Sequence, residues 1–179
     1  FRKRFIRGRI VERRMARSDS FFIRATCTTD GTNFNQVAID LGSYVNVLSK
    51  DVLRIHNIQV EYGIPNEAIA NVTPNFQSDV FFQLTTQSQV AAVNLANRSV
   101  VSSGQLNVSA DAASALLFVE DTFNASMQEW QNGYLIAVES MFLATKQDVD
   151  MLSQVSIILE CTSETMTVAA AMALSLSQQ

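Results

Sequence analysis

Along "SFFIRATCT", residues 20–28, apolar and polar positions alternate: Phe21, Ile23, Ala25 and Cys27 fall on one face, Phe22, Arg24 and Thr26 on the other. A period of two is that of a half-buried strand. "TTDGTN" follows, and its Asp30-Gly31 pair predicts a hairpin turn. "FNQVAIDLGSYVNVL" predicts a second strand, interrupted at Gly42-Ser43. Residues 52–62, "VLRIHNIQVEY", alternate again but change parity, with Leu53 and Ile55 before His56 and Ile58, Val60 and Tyr62 after it. Such a switch marks a β-bulge or a change of facing partner.

"GIPNEAIANVTPN" holds both prolines and reads as loop, and "DVFFQLTTQ" as a strand with Val80, Phe82 and Leu84 on one side. "SQVAAVNLAN", residues 88–97, has the mixed spacing of a short helix. "GQLNVSA" and "ALLFVEDTF" predict two short strands. "YLIAVESMFLAT" and "QVSIILECTSETMTV" predict two long ones, separated by the loop "KQDVDMLS". The tail "AAAMALSLSQQ" is a last edge strand or a helix packed on a neighbour. Eight strands beginning near residues 20, 35, 52, 80, 105, 115, 134 and 154, with little helix, indicate an all-β protein. The expected architecture is an all-β sandwich or an eight-stranded antiparallel jelly-roll sandwich over residues 20–179, carried behind a basic arm at residues 1–19.

Charge makes the arm a separate object. Nine of the thirteen Lys and Arg residues lie in the first 24 positions, which sum to +7, while everything after Arg24 sums to −11. A split of this size suggests a tail that meets nucleic acid or a membrane, joined to a body that meets neither. With 179 residues and 47% apolar content, the chain is long enough for one domain with a real core. No run approaches the ~18 apolar residues of a membrane span. The chain begins at Phe1 and carries no apolar signal segment, so further residues upstream are expected.

Candidate chemistry in the body is sparse. His56 is the sole histidine, set mid-strand among apolar neighbours, where an imidazole bonded to its surroundings is expected rather than a catalytic group. Cys27 and Cys161 share no metal-ligand spacing; they read as buried apolar side chains, or as a pair if the first and last strands are neighbours. Glu120-Asp121 and Asp148/Asp150 are the carboxylate clusters; an EF-hand loop would need a Gly and further ligands that are absent, so they read as solvated loop charges. There is no Gly-rich phosphate loop, no G-x-S-x-G and no H-E-x-x-H. Sequons at Asn71, Asn97, Asn107 and Asn124 matter only on a secretory route. The expectation is a non-enzyme with no cofactor and no metal.

The arm's chemistry is plainer. Arginine is permanently charged and bonds phosphate in bidentate fashion, and Phe1 and Phe5, interleaved with the cations, can stack on unpaired bases. A basic amphipathic helix on an anionic membrane is the competing use, but the apolar spacing of Phe5, Ile6, Ile10, Val11 and Met15 drifts and Gly8 weakens the helix. A merely solvated terminus is the other alternative.

An Arg-rich start, "FRKRFIRGRIVERRMAR", followed by about eight strands ending in "YLIAVESMFLAT" and "QVSIILECTSETMTV", resembles the single jelly-roll coat proteins of small icosahedral viruses. The resemblance lies in organisation and covers the whole chain. It implies a virion protein whose arm lines the shell interior and neutralises the packaged genome, while identical subunits meet through sandwich edges and loops. Carried over residue by residue, the nucleic-acid role falls on Arg2, Lys3, Arg4, Arg7, Arg9, Arg13, Arg14 and Arg17. Neighbours are expected to cover Ala169–Leu176 and "ALLFVEDTF". The rival is a secreted or surface β-sandwich for sugar or protein partners, a monomer or small ring indifferent to nucleic acid.

Overall fold

A computed structural model describes residues 18–46, 48–113, 116–123 and 132–179, the backbone alone within 116–123. Among the described residues nine strands and one helix follow in order: β1 (Phe21–Thr28), β2 (Asn35–Asp40), β3 (Asp51–Tyr62), β4 (Gln77–Thr85), β5 (Val100–Ala110), β6 (Leu116–Phe123), β7 (Tyr134–Ile136), β8 (Ser140–Gln147), β9 (Gln154–Thr165) and α1 (Val168–Ser177). They form two antiparallel sheets, β1-β9-β3-β7 and β2-β8-β4-β5-β6. The pairings nest: β1 with β9, β2 with β8, β3 with β7 and β4 with β5 are the rungs of one long hairpin rolled on itself. That winding is a jelly roll of eight strands, with β6 added at the edge of the second sheet.

The count exceeds the expected eight because "YLIAVESMFLAT" is two strands. Ile136 and Met141 have opposite parity, yet both are fully buried. The chain leaves the first sheet after Ile136 and enters the second at Ser140, so the inward face changes while the apolar alternation runs on. Asp30-Gly31 likewise makes a tight turn, Gly31 at φ 54°. It passes the chain from one sheet to the other instead of pairing β1 with β2.

Inward side chains follow the period of two. Val80, Phe82 and Leu84 of β4 meet Leu53 and Ile55 of β3 and Leu159 of β9, all fully buried, each contributing about 1.5–3 kcal/mol on leaving water. The parity switch in β3 is a bulge: Ile55 faces Cys161 and Asn57 faces Glu160, leaving His56 as the extra residue. Gly133, which precedes β7 at φ 69°, has no room for a side chain, because a Cβ there would stand 2.5 Å from the Ile55 carbonyl oxygen.

Residues 88–97 form bends and turns, not the expected helix. Gln83 donates to the Val93 carbonyl at 2.7 Å and accepts from the Val93 amide at 3.0 Å, so a side chain from β4 takes the backbone groups a helix would have used. The tail does form a helix. Thr167 caps α1 by accepting from the Ala170 amide, and Ala171 packs on Val52 and Ala137 in a small cluster outside the main core. Gln178 fixes its far end: Oε1 accepts from the Ala137 amide at 2.9 Å and Nε2 donates to the Leu135 carbonyl at 2.7 Å. Among the described residues no helix is long and apolar enough to cross a membrane.

Candidate nucleic-acid interface

Arg2, Lys3, Arg4, Arg7, Arg9, Arg13, Arg14 and Arg17 all lie outside the described residues, as do the side chains of "ALLFVEDTF", Glu120 and Asp121 included. What is on view is the place from which the arm departs. The Ser18 amide donates to the Ser163 carbonyl at 3.1 Å and Ser18 Oγ accepts from the Ser163 amide at 2.8 Å, extending the β1–β9 ladder. The root of the arm is therefore pinned at the corner where β9 gives way to α1. An open notch of about 420 Å³ lies beside it, lined by Ser18, Phe21, Tyr44, Asn46, Ser49 and Asp51 among others. Phe21 and Tyr44 stack there, ring centroids 4.7 Å apart.

From this corner the outward face of β1 runs Phe22, Arg24, Thr26. Phe22 is 55% exposed, and the Arg24 guanidinium lies over its ring at 5.8 Å, a cation–π contact that leaves both groups at the surface. Arg24, the last of the nine clustered cations, thus stands on the sheet itself. The shallow cleft it borders, about 460 Å³, also takes in Gln59 and Glu61 of β3 and Ser156 of β9. Its mixed charge makes it a poor phosphate surface on its own.

Of the body's other cations, Arg54 and Arg98 hydrogen-bond within the fold. Arg54 donates to both carboxylate oxygens of Glu164, at 2.7 and 2.8 Å, and to the Asn132 carbonyl. Glu164 is 2% exposed, so this is a buried, bidentate pair. Arg98 donates to the Gln179 carbonyl at 2.6 Å. Lys146 faces Asp79, whose carboxyl is raised to about 6 by burial first, then by a hydrogen bond and repulsion from Asp148, with Lys146 pulling the other way.

Asp148 and Asp150 are both exposed, as expected of solvated loop charges. Asp148 and Asp150 are neighbours in the chain, but Asp150 accepts from Gln147 Nε2 at 2.9 Å while Asp148 meets Asp79 across the β4–β8 pair. A partner 69 positions away leaves no local signal. Among the described residues no three His, Cys, Asp or Glu side chains are grouped to hold a metal. His56 Nε2 and Thr162 Oγ1 lie 2.9 Å apart, a bond between neighbouring strands. Although β1 and β9 are neighbours, Cys27 sits opposite Val155 and Cys161 opposite Phe21. They are therefore about 20 Å apart at ~3.3 Å per residue. Both are free and buried, and burial pushes their thiols up to about 11 and about 12.

The chain matches no family model and no curated protein. Among solved structures it is similar to a chain from Desmodium yellow mottle tymovirus, at TM-score 0.41 and 10% identity over 91% of this chain and 95% of that one. It is also similar to VP1 of Trichodysplasia spinulosa-associated polyomavirus, solved with sialylated glycooligomers, at TM-score 0.42 and 8% identity over 82% and 95%. VP1 from an unassembled KI polyomavirus pentamer aligns at TM-score 0.43 and 4% identity over 83% and 95%.

Proposed function

We propose that this chain is a structural coat protein that assembles with copies of itself into an icosahedral virion shell and holds the packaged genome through its N-terminal arm. The observation that carries the reading is the segregation of charge: +7 over residues 1–24 against −11 over the rest. After Arg24 the body has only Lys50, Arg54, Arg98 and Lys146 among its many carboxylates, and Arg54 is held by Glu164, so polyanion binding falls to Arg2, Lys3, Arg4, Arg7, Arg9, Arg13, Arg14 and Arg17. A jelly roll supplies a wall-like body from whose first strand such an arm hangs. With eight cations neutralising eight phosphates of a single strand, log K should fall against log salt with a slope of about −5 to −6.

The test is the size and nucleic-acid content of the purified protein, by light scattering with absorbance at 260 and 280 nm, for the intact chain and for a chain lacking residues 1–17. Large uniform particles that carry nucleic acid, and lose it with the arm, support the reading. A small species free of nucleic acid in every condition overturns it and favours a surface β-sandwich.

A further inference from the structure

A helix that is apolar all round belongs in an interior, yet α1 has only one side covered. Ala171 is fully buried on its inner side, while Val168, Met172 and Leu176, at i, i+4 and i+8, form an outer stripe that is 41%, 47% and 68% exposed. The helix is no loose tail: Thr167 caps its start and Gln178 ties its end to β7. The stripe is thus a rigid apolar ridge.

Two further exposed apolar side chains lie in segments tied to the ends of the helix. The Met166 amide donates to the Lys50 carbonyl at 2.9 Å, setting the 48–50 turn alongside the start of the helix, and Leu48 in that turn is 85% exposed. Thr86 Oγ1 donates to the Gln178 carbonyl at 2.8 Å, bringing the segment after β4 alongside the other end, and Val90 there is 98% exposed.

We infer that this ridge, the Val168–Met172–Leu176 face of α1, is a two-fold interface between two copies of the chain. The inference rests on the self-assembly reading and names its contact surface. Charge selects the occupant. Two bodies of −11 repel across most of their surfaces, but residues 86–97 and 166–179 contain no Asp, Glu, Lys or Arg. These are the segments through which like-charged copies can approach. A two-fold contact joins the same patch on both copies, which places Met172, the middle of the stripe, nearest the axis.

The experiment uses the intact chain in three forms: wild type, Met172→Lys with Leu176→Lys, and Met172→Cys. Association is measured by sedimentation across concentration, fold by circular dichroism, and nucleic-acid content by absorbance. The lysine pair replaces exposed side chains, so the fold should persist and the arm should still carry nucleic acid, while like charges at a two-fold contact weaken association by about 100-fold or more. Met172→Cys should form a disulfide-linked dimer under mild oxidation, Cys27 and Cys161 being buried. A wild type that associates beside a lysine variant that associates equally well overturns the inference and leaves self-assembly standing. Loss of association without cross-linking of Met172→Cys overturns the two-fold arrangement. A wild type that stays monomeric at every concentration overturns the self-assembly reading itself.

Discussion

Gln178 holds together the point where the chain changes sheets, and its replacement gives the sharpest test of the packing argument. The side chain is 3% exposed and spans a break in the β ladder: it accepts from the Ala137 amide, a residue with no exposed surface, and donates to the Leu135 carbonyl. In Gln178→Ala both backbone groups lose their partner and water has no ready route to Ala137. An unsatisfied buried group costs about 1–3 kcal/mol, so two should cost about 2–6 kcal/mol. That is a large share of the 5–15 kcal/mol that ordinarily separates folded from unfolded chains.

Gln178→Glu separates the two bonds. A carboxylate still accepts from the Ala137 amide but has nothing to donate to Leu135, and it adds a buried charge. Its folded-state pKa must therefore rise above the unfolded value, so its stability is greatest in acid and is lost as pH rises through that raised pKa. Urea titrations of wild type and both variants at pH 4.5 and 7 measure this. A loss below about 0.5 kcal/mol for Gln178→Ala, or a pH-independent Gln178→Glu, would refute the account.

Glu164→Leu leaves the Arg54 guanidinium, 12% exposed, without its carboxylate, and should cost about 3–5 kcal/mol by urea titration, most of which Arg54→Met in the same chain should restore. Asp79 offers a pH profile: its carboxyl goes from 3.8 in a free setting to about 6 here, so the folded state holds the proton more tightly and this favourable contribution is lost as pH rises through about 6. Asp79→Asn, neutral throughout, should gain on wild type between pH 4 and 7, by at most ~3 kcal/mol and, after solvent screening of a partly exposed group, by about 1 kcal/mol. Stability curves that stay parallel across that range would remove the Asp79–Asp148 pair from the argument.

Strand positions were legible because burial on one face writes itself as period two: Phe21, Ile23, Ala25 and Cys27 point inward as their alternation requires, and the parity switch at His56 located the bulge. What alternation does not carry is sheet membership. Ile136 and Met141 satisfy the pattern in two different sheets, and only the Gln178 side chain, 41 positions beyond Ala137, marks the crossing. The helix foreseen at 88–97 failed for a similar reason, since Gln83 and Val93 compete for its backbone from outside the window. As for the candidate site, Arg54–Glu164 and Asp79–Asp148 are long-range pairs whose meaning exists only after the sheets have formed. The arm needed no such context, because charge at that density is a local property.

The same segregation of charge sets a test that neither the arm nor the body passes alone. Each body carries −11 and each chain −4, so copies repel, and added salt, which shortens the Debye length from ~10 Å at 0.1 M to ~3 Å at 1 M, removes that repulsion. Burial of the ridge around Met172 is indifferent to such screening. Association between copies should therefore tighten with salt, while the arm's hold on a single strand weakens by about five orders of magnitude over a tenfold rise in salt. Sedimentation of the chain lacking residues 1–17 reads the first effect and oligonucleotide binding by the intact chain reads the second. If both weakened together, copies would be joined by ion pairs after all, and the acidic body would have to be redrawn as a docking surface for a neighbour's cations.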